Sequence, residues 1–298
     1  SRLNNDDGLL QSDSDENLDM KHGHLRNRTG TNTGGILSQG TLPLSSDSLD
    51  NARGHVGHSS ARLTTGPLNN LNGSLVSNKD LAVTTQGVFN NRNGLLQAGT
   101  SMVVNTSGAE LNNTQGLMGA GQSLNLLSGA LLNQSGQIRS SGAAQINTQG
   151  QSLDNTRGII SVAADAQLNA ASINNTAGQI QVAGAAMINA IKGLVVNTQG
   201  LIRSGIHLAI TTGQLINRDT QADNSGIEGS SVTLNSGIFD NAGGILRATD
   251  LLEITGIQNI DNSNGLLSST SLLNINGADA LSFINTSGTL IAGKKLNL

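Results

Sequence analysis

The chain repeats itself, and the repeat constrains its fold more than any other feature. The unit is an apolar residue, any residue, then Asn-x-x-Gly. Examples are Leu3-Asn4-Asn5-Asp6-Asp7-Gly8, Leu49-Asp50-Asn51-Ala52-Arg53-Gly54, Leu111-Asn112-Asn113-Thr114-Gln115-Gly116 and Ile173-Asn174-Asn175-Thr176-Ala177-Gly178. Taking the asparagine before x-x-Gly as marker gives Asn5, Asn32, Asn51, Asn70, Asn91, Asn113, Asn133, Asn155, Asn175, Asn197, Asn217, Asn241, Asn262 and Asn285, 14 units in all. The first interval is 27 residues and the others run from 19 to 24, with a double unit of 42 between Asn91 and Asn217. A period of this length marks stacked units, each of which buries its apolar side only against its neighbours.

Inside each unit the apolar pattern has the period of a strand. The residue two before the marker is Leu, Ile, Val or Phe in 13 of the 14 units, Gly30 being the exception. Two residues past the glycine stand apolar residues such as Leu10, Leu37, Val56, Leu75, Leu96, Met118, Ile138, Ile160, Ile180 and Ile202. Two further on the side chain is mostly small, and the position between takes polar residues such as Arg139, Gln181 and Arg203. A second strand follows in pairs such as Leu124 with Leu126 and Leu208 with Ile210, and the apolar residue before the asparagine supplies a third. Three short strands in about 20 residues describe one coil of a parallel β-helix. Coils stack at about 4.8 Å, so 14 of them predict a rod of roughly 65 Å. In the turn, Asn bonds to neighbouring backbone or to the next coil and tolerates the left-handed region, and Gly is expected to supply positive φ at no steric cost.

Composition agrees with a narrow, layered core. The chain of 298 residues has 3 Phe and no Trp or Tyr, so it buries small and aliphatic side chains. Hydrophobic residues at 36% and a net charge of −4 argue against a disordered chain. With 16 Lys+Arg against 20 Asp+Glu and no aromatic platforms, the surface expected of a nucleic-acid binder is missing. The absence of Cys excludes disulfides and thiol chemistry. No apolar stretch approaches the ~18 residues of a membrane span, and Ser1 opens no signal peptide, so the sequence reads as part of something longer.

Runs such as Leu153-Asp154-Asn155-Thr156-Arg157-Gly158-Ile159-Ile160-Ser161 and Leu111-Asn112-Asn113-Thr114-Gln115-Gly116-Leu117-Met118 resemble the filamentous haemagglutinin repeats of bacterial two-partner-secreted exoproteins, a family that includes adhesins and contact-dependent growth-inhibition effectors. The resemblance covers nearly the whole chain and is strongest from Asn91 to Asn217. It implies a right-handed β-helix within a fibre on a Gram-negative cell surface. It also implies export by an outer-membrane two-partner-secretion transporter, and contact with a target- or host-cell receptor through other regions of the parent protein. The Asn-Pro-Asn motifs of the family's secretion domain and the Val-Glu-Asn-Asn pretoxin motif do not occur in this sequence.

Residues able to carry chemistry have a plainer reading at each place. His22, His24, His55 and His58 are the candidate metal ligands, with H-x-H and H-x-x-H spacings, and His58 falls where other units put a small inward residue, so a register slip is expected there. Asp13, Asp15, Glu16 and Asp19 are calcium candidates that match neither an EF-hand loop nor the Gly-rich nonapeptide. Lys21, Arg26 and Arg28 read as solvated partners of that acidic run. A glycosidase would need paired carboxylates, for which Asp219 with Asp223 or Asp261 with Asp279 are the candidates, without aromatics beside them. Phe89, Phe239 and Phe283 all fall at the inward position before the marker. Thr84-Thr85 and Thr211-Thr212 recur too irregularly for an ice-binding ladder.

The sequence therefore predicts an all-β, right-handed parallel β-helix over residues 1–298 as a single repeat domain. Residues 1–48 are expected to be less regular, because Gly30 and Pro43 break the pattern, with loops or a displaced segment around 11–31; residues 49–298 form regular coils with a loop insertion at 218–226. No catalytic, cofactor or metal residue is assigned, and the segment is expected to be monomeric. The expected role is a non-catalytic spacer in a secreted adhesin or toxin-delivery filament. The alternatives are a β-helix enzyme acting on polysaccharide and a directly receptor-binding adhesin surface.

Overall fold

In the computed structural model, which describes residues 1–20, 22–29 and 34–298, all regular structure among the described residues is β-strand. The chain divides into two compact units, Ser1–Gln151 and Ser152–Leu298. Each is a right-handed parallel β-helix, and about 14 turns are wound in all.

One coil shows how the sequence makes the fold. Ile159–Val162, Ala166–Asn169 and Ser172–Asn174 form the three faces, in that order. Each lies parallel on its counterpart one coil later, with Ile160 against Ile180, Leu168 against Ile188 and Ile173 against Val195. Alternate residues point inward, and equal positions of successive coils stack. In the first unit the inward residue of the third face runs Leu25, Leu49, Leu68, Phe89, Leu111 and Leu131, all at 1% exposure or less. The second unit repeats this with Leu153, Ile173, Val195, Leu215, Phe239 and Ile260. Phe283, at the same position, is half-buried. A cross-section this small leaves room for one aliphatic layer per coil, which is why the chain folds almost without aromatics.

The Asn-x-x-Gly element turns the corner from the third face to the first. In the turn Asn197-Thr198-Gln199-Gly200 the Gly200 N–H donates to the Asn197 carbonyl at 3.1 Å. The left-handed residue is Gln199, with φ of 55°, and not the glycine. The same place in other turns is taken by Arg53, Asn72, Asn93, Gln115, Arg157 and Ala177, all at positive φ. The expectation that Gly supplies the left-handed conformation is therefore corrected. Gly is required by close approach, since a Cβ on Gly200 would stand 2.2 Å from the Asn175 carbonyl oxygen and 2.5 Å from Asn197 Oδ1. The left-handed site takes a glycine in one coil, Gly243 at φ 61°, and there Gly244 follows to fill the close-packed place.

The marker asparagines stack inside each unit. Asn197 is fully buried. Its Nδ2 donates to Asn217 Oδ1 at 2.8 Å and to the carbonyls of Gly200 and Gly226 at 3.1 and 3.2 Å, while its Oδ1 accepts from Asn175 Nδ2 at 2.7 Å. Two N–H groups serving three acceptors means a shared bond, and every buried polar atom of the amide is occupied. A ladder of this kind bonds each coil to the next and allows a corner to be buried without unsatisfied groups.

The ladder also corrects the first interval. Asn5 Nδ2 donates to Asn27 Oδ1 at 2.8 Å and Asn27 Nδ2 to Asn51 Oδ1 at 2.7 Å. The second marker is therefore Asn27, and Asn32 lies outside the described residues, as do Lys21 and Gly30. With Asn27 as marker the apolar position is Leu25, fully buried and paired in register with Leu3 and Leu49. The inward residue after the turn is Ile36, which pairs with Leu10 and Val56, so Leu37 points outward. The coil that precedes this turn keeps register with both neighbours. Within 11–31, Leu18–Asp19 pairs with Leu44–Ser45 and His24–Arg26 with Ser48–Asp50. Pro43 sits on the outward side of Thr41–Ser46 with Leu42 and Leu44 buried on either side of it. Its missing N–H is tolerated there because the strand paired on one side covers only Leu44 and Ser45.

In the second unit several strands run unbroken round the corners: Ala186–Val196 and His207–Ile216 join the second face to the third, and Gly226–Asp240 and Ile245–Asp261 run through all three. Residues 217–225 carry no strand. This segment is pinned at Thr220, where the repeat would have its glycine. Thr220 is fully buried, its Oγ1 accepting from the Ile245 N–H at 2.9 Å. Residues 221–224 are exposed.

Candidate functional site

The outward side chains mostly bind one coil to another. Glu228 bridges Arg203, at 2.7 Å, and Arg247, at 3.4 Å, on the neighbouring coils of one face. Arg218 pairs with Asp240 at 2.6 Å, and in the first unit Arg26 pairs with Asp6 at 2.6 Å and Arg28 with Asp50. The basic residues Arg26 and Arg28 are thus not partners of the acidic run, as the sequence suggested; coil geometry places other carboxylates beside them. Exposed pairs of this kind are worth about 1 kcal/mol or less each.

Among the described residues the calcium candidates form no cluster that could hold a metal ion. Asp15 Oδ1 accepts from the backbone N–H and hydroxyl of Thr41 at 2.7 and 2.9 Å, and these bonds hold its carboxyl below the usual range. Asp19 accepts from Ser45 Oγ at 2.5 Å, and burial pushes the Glu16 carboxyl up. Of the glycosidase candidates, Asp261 serves its own turn, where bonds from the Ser263 hydroxyl and, at 2.9 Å, from the Ser263 N–H lower its pKa. Asp219, Asp223 and Asp279 are exposed.

The histidines divide. His22 is exposed, 3.8 Å from Asp47, and His24 Nδ1 lies 2.8 Å from Ser48 Oγ on the third face. His55 and His58 lie instead on the short strand His55–His58 of the first face, and both line one cleft of about 280 Å³ together with Gln11, Leu37, Gln39 and Asn78. His55 Nδ1 is 2.6 Å from Ser74 Oγ on the next coil. A Cβ on Gly57 would meet His55 Nε2 at 2.9 Å, so the imidazole lies over a residue that has no side chain. His58 points inward and is 3% exposed, and its ring nitrogens make no hydrogen bond of good geometry, the Ile36 backbone being the polar group beside them. The expected slip of register at His58 does not occur: Val56, Gly57 and His58 pair in order with Leu75, Val76 and Ser77. The imidazole occupies a place that Ser77, Ala98, Ala120 and Ser140 hold in later coils. Sequence spacing singled out the two histidines but not Gln39 or Asn78, whose place in the cleft, like that of Ser74 beside His55, depends on coil-to-coil register.

Burial lowers the pKa of His58 from 6.5 to about 4, helped by the neighbouring His55, which burial also lowers. A folded-state value below the unfolded one means that protonation favours unfolding. Above pH 6.5 the ring is neutral in both states and costs nothing electrostatically. Between 6.5 and 4 the unfolded chain takes up the proton first, and stability falls as pH falls. At about 1.4 kcal/mol for each pKa unit, the loss by pH 4.5 is expected to be about 2 to 3 kcal/mol. The carboxylates Asp15, Asp80 and Asp261, all held below 3.8, lose their contributions only at lower pH. Denaturant unfolding of the wild type and His58→Ser at pH 7.5 and 4.5, in metal-free buffer, reads this directly. Equal pH slopes in the two proteins would refute the assignment.

The haemagglutinin repeat family profile matches residues 2–66, 60–115, 103–152 and 227–298. No curated protein and no solved structure matches. The matched segments span well over half of the sequence and coincide with coils whose turns carry the stacked asparagines. By its repeat, by the coil that the repeat builds and by this match, the chain belongs to the haemagglutinin repeat family.

Proposed function

We propose that the chain is a non-catalytic, rigid spacer in a secreted bacterial surface exoprotein that carries an adhesive or toxin-delivery tip. Membership of the haemagglutinin repeat family supports a secreted, adhesin-like fibre segment. The observation that carries the spacer reading is the continuity of hydrogen bonding and apolar stacking from coil to coil inside each unit. In the first unit Asn5, Asn27, Asn51, Asn70, Asn91 and Asn113 bond in succession, and inward residues stack beside them in register. Such a stack resists bending because no coil is free to move without breaking bonds to two others. Export by an outer-membrane two-partner-secretion transporter of a Gram-negative bacterium fits this architecture. A chain that pairs each coil only with the one before it can fold progressively as it emerges. A monomeric, single repeat domain over residues 1–298 is part of the same proposal.

The test is a deletion in the full-length exoprotein. Removing two whole coils, residues 91–132, is expected to leave export intact and to reduce cell contact only as reach shortens by about 10 Å. Complete loss of cell binding, with export and folding shown to be intact, would overturn the spacer reading in favour of a receptor surface on these coils.

A further inference from the structure

We propose that Asn276 is a self-modification site, where the Asn276-Gly277 peptide cyclises with loss of ammonia and reopens as an aspartyl or isoaspartyl residue, while the fold shields every other Asn-Gly pair. The chain holds four such pairs, Asn72-Gly73, Asn93-Gly94, Asn264-Gly265 and Asn276-Gly277. Glycine after asparagine leaves the attacking nitrogen least hindered, because no Cβ stands beside it. The Gly277 backbone nitrogen attacks Asn276 Cγ, so that an N–C bond forms and the Cγ–Nδ2 bond breaks. The proton of the attacking N–H passes through a base in solvent to the departing nitrogen, which leaves as ammonia. Water then opens the cyclic imide at either carbonyl. One opening leaves the new carboxylate on the side chain, and the other leaves it on the main chain, with the polypeptide continuing through the former side chain.

Three of the pairs sit in the turns between the third face and the first, and their protection does not come from burying the asparagine. Asn72, Asn93 and Asn264 are exposed, as Asn276 is. The glycines differ. Gly73, Gly94 and Gly265 are buried, and their N–H groups donate to the carbonyls of Asn70, Asn91 and Asn262 at 3.0, 3.0 and 2.9 Å. Each asparagine is held in the left-handed conformation, at φ of 53°, 51° and 53° in turn. Bonds to other coils fix it there. In the first of these turns the Asn72 N–H donates to the Arg92 carbonyl at 3.0 Å and the Ser74 N–H to the Gly54 carbonyl at 2.8 Å. Attack requires the glycine nitrogen to leave its acceptor and face its own side chain, which opens the turn. Losing three backbone hydrogen bonds makes that open state rare and slows the reaction by about a hundredfold.

Asn276 and Gly277 have no such turn around them. Both are exposed, and neither is at positive φ. They end the second face, where pairing with the preceding coil slips: Asn276 stands opposite Thr255 and Gly277 opposite Ile257, and the next pair is Ser282 with Asn259. Residues 278–281 thus swing out as a corner, and a small local opening beside them frees the Gly277 nitrogen. The corner also demands the glycine, since a Cβ there would lie 2.7 Å from the Leu281 side chain. The product places a carboxylate on this exposed corner, outside the asparagine ladder and the apolar columns, so the coils stay folded.

The test is incubation of the folded chain in mildly alkaline buffer, with peptide mass spectrometry at each of the four pairs and methyl transfer by a protein isoaspartyl methyltransferase as a second readout. Asn276 is expected to convert about a hundredfold faster than Asn72, Asn93 and Asn264. In guanidinium chloride all four should convert at comparable rates, because the dipeptides are the same. Asn276→Gln should abolish methyl acceptance while leaving the circular dichroism of the wild type. Conversion of Asn72, Asn93 or Asn264 as fast as Asn276 in the folded chain would overturn the proposal. So would a selectivity for Asn276 that persists in denaturant, or methyl acceptance undiminished in Asn276→Gln.

Discussion

Gly200→Ala is expected to destabilise the second unit by about 4 kcal/mol, whereas Gln199→Gly, one residue earlier, should be neutral or stabilising by about 0.5 to 1 kcal/mol. The two substitutions separate the two demands of the turn. At Gly200 an added methyl meets the Asn175 carbonyl oxygen at 2.2 Å and Asn197 Oδ1 at 2.5 Å. Neither neighbour can yield. The carbonyl belongs to the backbone of the coil before, and the amide is held by four hydrogen bonds, to Asn175, Gly200, Asn217 and Gly226. Relief requires opening the ladder between coils, which forfeits bonds on both sides and explains why the cost exceeds ordinary overpacking of about 1 to 3 kcal/mol. At Gln199 the backbone already sits at φ 55°, a region that disfavours a side chain, and glycine removes that penalty at the expense of a looser unfolded chain. Urea unfolding of both variants measures the contrast. If Gly200→Ala proved as mild as Gln199→Gly, the close-packing account of the motif would fail.

These two positions also show what a sequence reveals of such a fold and what it conceals. The period of the repeat and the inward residues were legible, because stacking forces one apolar residue per face into each coil and the strand alternates in period two. Leu75, Leu96, Met118 and Ile138 are read straight from the chain and are fully buried. The reason for the glycine was not legible, since positive φ and close approach both select Gly, and only the position of the preceding coil distinguishes them. Between Asn27 and Asn32 the full unit favours Asn27, which alone has an apolar residue, Leu25, two before it. Asn27-Arg28-Thr29-Gly30 and Asn32-Thr33-Gly34-Gly35 both satisfy the bare Asn-x-x-Gly. What the structure adds is the amide at the right height to accept from Asn5 and donate to Asn51. The cleft was half legible. H-x-x-H could be seen, but its companions come from other coils at separations that reflect loop length rather than chemistry. Ser74 is 19 residues from His55.

Deleting residues 91–101 is expected to abolish cooperative folding of the first unit, while deleting residues 91–132 leaves a shorter folded one. The longer cut removes more of the chain yet does less harm. It joins Asn90 to Asn133, and Asn90 then stands where Leu132 stood, two coils later in the same column. Leu75 can stack on Ile138, and Leu81 and Val83 on Ala144 and Ile146, because these pairs already occupy the same inward columns. The shorter cut joins Asn90 to Met102. It removes one turn asparagine, Asn91, and one complete first-face strand, Leu95–Ala98. Leu75 and Met118 then face each other across a missing layer of about 4.8 Å, with a row of backbone N–H and C=O groups on either side left without partners. Asn70 and Asn113 lose the amide between them in the same step. Since each coil is stabilised mainly by its neighbours, a gap of one strand uncouples the coils on its two sides, whereas an absent pair of coils leaves every remaining contact in kind. Size-exclusion chromatography, circular dichroism and denaturant unfolding of the two deletions decide the matter. A chain lacking 91–101 that unfolds as cooperatively as the one lacking 91–132 would show that the stack does not depend on register between coils.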